Sequence, residues 1–219
     1  IEKVLDRRWI SGGPAITEFE DAVKKYNGDS DGHYIAIANA TVGLEMALLR
    51  ANKGRRYNPE DEVIVPSFTF VSSANAFVIM GATVVFAEVE RDTLSVSPRT
   101  VQHLITPRTK AIVAVNYGGA PSVTKELVDL ADANDIIIIE DNAHGLFASY
   151  DGMPLGTQSA ISTLSFHETK NITCGEGGAL IINDPALTER AEIIREKGTN
   201  RSSFFRGMVD KYTWVGKGS

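Results

Sequence analysis

Thr124-Lys-Glu-Leu-Val-Asp-Leu-Ala-Asp-Ala-Asn134 stands between two apolar runs, Thr109-Lys-Ala-Ile-Val-Ala-Val115 and Ile136-Ile-Ile-Ile-Glu140. Leu127, Leu130 and Ala131 recur at three-and-four spacing with charges between them, so the segment predicts a helix with one apolar face. The flanking runs are rich in β-branched residues and almost free of polar ones, the pattern of strands buried on both sides. A strand, a crossover helix and a second strand make a βαβ unit, which predicts parallel pairing.

The same alternation extends in both directions. Glu62–Pro66, Ala82–Phe86, Ala160–Phe166 and Ala179–Ile182 read as further strands, and Ile35–Ala38 as a shorter one. Helical patterns fill the intervals at Gly43–Arg50, Ser72–Met80, Pro98–Ile105 and Val123–Asn134, with a last one at Pro185–Lys197. Asp184-Pro185 suits a cap followed by a first-turn proline, and Gly198 a stop after Lys197. The fold class predicted is α/β, three layers with a mainly parallel sheet in the middle. Gly198–Ser219 loses the alternation and mixes Phe204, Phe205, Tyr212 and Trp214 with Arg201, Arg206 and Lys211; it reads either as an irregular surface loop or as a segment covering a ligand.

With 219 residues, 43% of them hydrophobic, the chain can bury one substantial core. Its 22 basic and 28 acidic residues, net −6, argue against general nucleic-acid binding. The single cysteine, Cys174, excludes an intrachain disulfide framework and points to a reducing, cytoplasmic setting. No Cys/His cluster has zinc spacing, so no metal is expected. The apolar runs fall well short of the roughly 20 residues needed to span a bilayer.

In open α/β sheets ligands gather at the carboxyl ends of the strands. Ile136–Glu140 ends in Asp141-Asn-Ala-His144. Ala160–Phe166 runs into His167 and Lys170. Glu62–Pro66 leads to Ser67-Phe-Thr-Phe70, and Ile35–Ala38 to Asn39-Ala-Thr-Val-Gly43. Lys170 precedes a glycine-rich turn, a place where a lysine can be held and partly desolvated as a free, carbonyl-trapping amine. Asp141, following a buried strand, needs a cationic or hydrogen-bonding partner to stay ionised; it suits a protonated pyridine nitrogen or a cap on the next turn. His144 reads as a hydrogen-bonded structural imidazole or a cofactor contact, and Phe70 as core or as a stacking surface. At Asn39–Gly43 the free amides of a helix start suit a phosphate, or are capped by Asn39 or Thr41. A lysine, a carboxylate, a flat aromatic and a phosphate cradle together match what pyridoxal 5′-phosphate requires.

Three runs carry a resemblance. Pro66-Ser-Phe-Thr-Phe-Val-Ser-Ser-Ala-Asn75, Glu140-Asp-Asn-Ala-His144 and Ser165-Phe-His-Glu-Thr-Lys-Asn-Ile-Thr-Cys-Gly-Glu-Gly-Gly178 resemble, in order, signatures of the pyridoxal-phosphate-dependent nucleotide-sugar aminotransferases of the aspartate-aminotransferase fold type. Arg195–Trp214 looks most like the branch that makes dTDP-4-amino-4,6-dideoxygalactose. The resemblance implies that residues 1–219 form a pyridoxal-phosphate-binding large domain, incomplete at both ends, with the C-terminal small domain absent. It implies Lys170 as the Schiff-base lysine, Asp141 as the pyridine-nitrogen partner, His144 beside the cofactor's phenolic oxygen and Phe70 stacked on its ring. Ser165, Thr41 and the Val42 amide match the phosphate cradle. The activity implied is transfer of an amino group from L-glutamate to a 4-keto-6-deoxy nucleotide sugar, with dTDP-4-keto-6-deoxyglucose the expected acceptor and a homodimer sharing its active sites. Arg201, Arg206, Lys211 and Tyr212 are the expected contacts to the sugar nucleotide. A 3-keto or UDP-linked substrate, or a non-catalytic ligand-binding scaffold, are the alternatives.

Overall fold

The computed structural model describes residues 2–9, 12–51, 57–216 and 218. Ile1 and Ser219, the bounds of the expected large domain, lie outside the described residues. Among the described residues seven strands form one sheet: β1 (His33–Ile37), β2 (Glu62–Pro66), β3 (Thr83–Ala87), β4 (Thr109–Val115), β5 (Ile137–Asp141), β8 (Ile161–Ser165) and β9 (Gly178–Ile182). Their spatial order is β1-β9-β8-β5-β4-β2-β3. A two-residue hairpin, β6 (Ser149–Tyr150) with β7 (Met153–Pro154), stands apart. The pairs joining β3, β2, β4, β5 and β8 are parallel, and β9 runs antiparallel to both β8 and β1. Six strands therefore point one way, and their carboxyl ends line a single edge of the sheet.

Among the described residues the α-helices are α1 (Glu2–Asp6), α2 (Pro14–Asn27), α3 (Ala40–Ala51), α4 (Ser72–Ile79), α5 (Pro98–Val101), α6 (Lys125–Ala133), α7 (Thr188–Arg195) and α8 (Arg201–Phe205). The period-two alternation of the strands sorts them into layers. Val63, Val65, Ala111, Val113 and Ile139 pack with Leu44 of α3, Ala76 and Phe77 of α4 and Ile194 of α7. Ile64, Ile112, Ala114 and Ile138, one residue out of phase, pack with Val101 of α5 and with Leu127 and Ala131 of α6. Tyr34, Leu164 and Ile181 bury against Phe19 and Val23 of α2. Thr124 caps α6, its hydroxyl accepting from the Leu127 amide. Leu127 is fully buried on this helix, so truncating it leaves a cavity between helix and sheet. Leu127→Ala should lower unfolding stability by about 2–5 kcal/mol, read from denaturant melts.

The sequence-based boundaries need two corrections. The helix over Pro185–Lys197 opens as a 3-10 turn, Pro185–Leu187, with the Asp184 carboxylate accepting from the Ala186 amide, before α7 begins. Gly198–Ser219 is not wholly irregular. It contains α8, and Thr199 bridges Trp214 across the turn that follows. Among the described residues no helix is long and apolar enough to cross a membrane.

Candidate active site

Gly178 opens β9 against the start of α3. A side chain there would meet the Asn39 carbonyl carbon and the Leu164 carbonyl oxygen, each at 2.8 Å, so only glycine lets strand and helix close up. Gly43, one turn into α3, likewise lies where a Cβ would meet Ile37 and Thr163, each at 2.7 Å. These two contacts press the helix onto the sheet and bring its N-terminus, Asn39–Thr41, to the carboxyl ends of the strands. The Asn39 side chain caps it, accepting from the Val42 amide at 3.0 Å.

Because β9 lies antiparallel beside β8, residues 166–177 connect them as a hairpin-like loop with no crossover helix. The loop is tied at its base by Phe166 and Gly177 (2.9 Å), and by the Cys174 amide donating to the Phe166 carbonyl at 3.0 Å. Lys170 sits on this loop, its amide donating to the His167 carbonyl at 2.9 Å. That constraint holds the lysine over the strand ends, half-buried. Burial lowers its amine below the ordinary lysine range, and the Asp141 charge opposes this.

Asp141, at the end of β5, is buried and doubly held. Ser73 of α4 donates to its Oδ2 at 2.6 Å, and the Ala143 amide donates to its Oδ1 at 3.2 Å. Thr69 in turn lies 2.8 Å from the Ser73 hydroxyl. Asp141 thus caps the next turn and still presents a carboxylate to the cavity. For His144, the Gly118 amide donates to Nδ1 at 3.2 Å, which leaves the ring proton on Nε2. Tyr117 meets the imidazole edge-on at 5.0 Å and packs against Phe68 at 4.7 Å. Burial lowers the His144 pKa, the Lys170 cation lowers it further, and Asp141 opposes both.

These groups share one cavity of about 480 Å³. Asn39, Thr41, Phe70, Tyr117, Asp141, His144, Ser165 and Lys170 line it. The structure therefore brings together six of the predicted site residues from the ends of four strands, β1, β2, β5 and β8, and the segments that follow them. Phe70 is 70% exposed, which removes the core alternative and makes it a cavity wall. Val42 is placed differently from the expected cradle: its amide is already taken by Asn39. Tyr117, Thr69 and Ser73 were not singled out from sequence. Tyr117 follows β4, whose carboxyl end carries the same positional signal as those of the strands leading to Asn39, Ser67, Asp141 and His167.

Arg201, Arg206, Lys211 and Tyr212 are not at this cavity. Arg206 forks onto Glu192 with both contacts at 2.6 Å, and Arg201 pairs with Glu196 at 3.4 Å while lying over the Phe205 ring. Burial would raise Glu192, but hydrogen bonds from His33 and Arg206 overcome it and hold the carboxyl at about 2. Carboxylates on and just after α7 claim both guanidiniums. The two arginines line a separate cleft of about 700 Å³ that shares no described residue with the strand-end cavity, and Lys211 and Tyr212 are exposed.

Residues 1–216 match the family model described as DegT/DnrJ/EryC1/StrS aminotransferase family. The chain belongs to that family. Among solved structures it is similar to DesV from S. venezuelae, at 34% identity and a TM-score of 0.84, covering 100% of this chain and 55% of DesV. DesI, solved in the presence of its TDP-sugar product, matches at 36% identity and a TM-score of 0.81, over 90% of this chain and 48% of DesI. The PMP-form of Spr1654 from Streptococcus pneumoniae matches at 27% identity and a TM-score of 0.83, over 99% and 57%. The chain spans about half the length of each. Members of the DegT/DnrJ/EryC1/StrS family use pyridoxal 5′-phosphate, and the cavity offers a fitting donor set: a partly desolvated amine, an anchored carboxylate, an exposed aromatic ring, and hydroxyls beside a helix N-terminus. Ser73→Ala removes the donor that aims Asp141 without touching the cavity volume. Cofactor affinity should fall about 3- to 10-fold, the equivalent of one hydrogen bond to a charged group partly replaced by water, as measured by titration of cofactor absorbance.

Proposed function

We propose that this chain is the cofactor-binding part of an aminotransferase that moves an amino group from L-glutamate to a 4-keto-6-deoxy nucleotide sugar, with dTDP-4-keto-6-deoxyglucose the acceptor and two subunits sharing each active site. The observation that carries the reading is the convergence of Lys170, Asp141, His144 and Phe70 on one cavity at the strand ends. DesI, the relative solved with a TDP-sugar product, supports a nucleotide-linked substrate.

Pyridoxal phosphate, when bound, supplies an aldehyde that accepts the amino group and a ring that takes up electrons. Lys170 would hold that aldehyde. Once freed, its amine is the group placed to take the proton from the donor's α-carbon and return it, and its lowered pKa keeps more of it neutral than an ordinary lysine. Asp141, fixed by Ser73 and Ala143, would accept a hydrogen bond from a protonated ring nitrogen and keep it protonated. His144 carries its proton on Nε2 because Gly118 occupies Nδ1, so it is a donor suited to the phenolic oxygen. Phe70 would cover the ring. Thr41 and Ser165 hydroxyls would take the phosphate, aided by the positive end of α3.

The test is an absorption spectrum of the intact, cofactor-loaded enzyme. L-Glutamate should abolish the aldehyde-form band, and dTDP-4-keto-6-deoxyglucose should then restore it with formation of the 4-amino sugar. A band that glutamate leaves unchanged would sink the donor assignment, and recovery only with a 3-keto or UDP-linked sugar would move the acceptor.

A further inference from the structure

Glu140 precedes Asp141 in β5, so the two carboxyls point to opposite faces of the sheet. Asp141 faces α4 and the cavity. Glu140 is completely buried on the other side. Its Oε1 accepts from Asn116 Nδ2 at 2.6 Å and from the Gly156 amide at 2.7 Å. Its Oε2 lies 3.1 Å from the Ser159 hydroxyl. Every one of these partners is neutral, and among the described residues no lysine, arginine or histidine pairs with it.

The Ser159 hydroxyl distinguishes the two forms of Glu140. Ser159 has one hydroxyl proton and two acceptors in reach, Glu140 Oε2 at 3.1 Å and the Ile161 carbonyl at 2.9 Å. If the proton goes to the nearer carbonyl, the serine oxygen is left as an acceptor facing Oε2. A proton on Oε2 completes the chain: Glu140 donates to Ser159, and Ser159 donates to Ile161. A carboxylate would instead have to draw the Ser159 proton away from the nearer Ile161 carbonyl and keep its charge fully buried among neutral partners, which costs more than a neutral acid.

We propose that Glu140 is held as a neutral carboxylic acid, a positioning residue that ties β4, β5 and the Gly156–Ser159 turn together behind Asp141 while leaving Asp141 as the single negative charge at this strand end. Burial acts in the same direction, raising the Glu140 pKa against the three hydrogen bonds that lower it. Asn116 extends the tie: its Nδ2 also donates to Asn142 at 2.7 Å, and its Oδ1 accepts from Ser122. The consequence for catalysis rests on the function proposed above. A second anion beside Asp141 would compete for the ring-nitrogen proton and strengthen the hold on the Lys170 cation.

Infrared difference spectroscopy tests the protonation directly and needs no cofactor. At pH 7 the protein should show a carboxylic-acid carbonyl band that Glu140→Gln removes. The side-chain amide of that variant can still accept from Asn116 and Gly156 and donate to Ser159, so the fold should survive. Ser159→Ala provides a second arm, because deleting the acceptor of the acid proton should shift the band. Thermal melts give a third: the variant E140Q should gain Tm over the parent as pH rises from about 5 to 8, since the parent alone must give up a proton on unfolding. A parent spectrum with no acid band at pH 7, a band that neither substitution alters, or an E140Q advantage that shrinks with pH would overturn the proposal. Failure of the intact enzyme to take up cofactor while the band is present would instead overturn the functional reading and leave Glu140 as described.

Discussion

Lys170→Ala should leave a folded protein that neither turns over nor retains the cofactor covalently. The side chain is half-buried on the loop between β8 and β9, and the hydrogen bond at this position is made by its backbone amide to His167, which alanine keeps. Stability should therefore change by no more than about 0.5 kcal/mol. Function loses two things together. The amine proposed to hold the aldehyde is gone, and so is the base proposed to move the proton at the donor's α-carbon. Proton transfer alone is worth roughly 10²–10⁴ in rate, so turnover in the intact enzyme should fall by about 10⁴ or more once covalent attachment is lost as well. Borohydride treatment followed by peptide mass analysis should find a pyridoxyl group on Lys170 in the parent and none in the variant. Lys170→Arg should be equally inactive, because a guanidinium keeps the charge but cannot become a free nucleophile. Full activity in either variant would eliminate Lys170 from the chemistry.

The parts of this site that were legible in the sequence share a physical property: their meaning depends on position along one element. Glu62–Pro66 and Thr109–Val115 are buried on both faces, so they appear as apolar runs whose ends can be read to the residue. Asp141 could be found because a charged side chain at the end of such a run is expensive unless it has a task, and Lys170 because it stands between a strand end and a glycine-rich turn. α2 was missed for the opposite reason. Only Val23 and Asn27 of its fourteen residues are buried, so its apolar stripe is thin, although Pro14 at its first turn and Gly28 after its last residue mark both ends. The direction of β9 is absent from its own residues, since Ala179–Ile182 would read the same parallel or antiparallel. It follows from the preceding loop, which has no helix to carry the chain back across the sheet.

Contacts between distant segments were the least legible. Ser73 meets Asp141 across 68 positions, and no spacing rule links a serine in one helix to an aspartate at the end of a later strand. Arg201 and Arg206 look available because their neighbourhood in sequence is aromatic and cationic. Their partners, Glu196 and Glu192, lie just after and on the preceding helix, and only the fold reveals that the charges are already matched.

Asp141→Asn should be the next most damaging change, and it separates charge from shape. The amide oxygen can still accept from the Ala143 amide, and the Ser73 hydroxyl can reverse to accept from the new NH₂, so the strand end should keep its geometry. What disappears is the negative charge. A hydrogen bond to a charged group contributes about 1.5–3 kcal/mol, so cofactor affinity should drop about 10- to 100-fold. Turnover should fall by a further factor on the order of 10²–10³, the loss typical of removing one group that stabilises developing charge. The pH behaviour gives an independent reading with a definite sign. The Asp141 charge raises the pKa of both Lys170 and His144, against the burial that lowers them. Without it both fall further, and a larger fraction of Lys170 is the free amine at any given pH. The pH profile for capture of an aldehyde by Lys170 should therefore move to lower pH in the variant D141N even as turnover collapses. A profile that stays in place, or moves up, would mean that Asp141 does not act on the lysine through its charge.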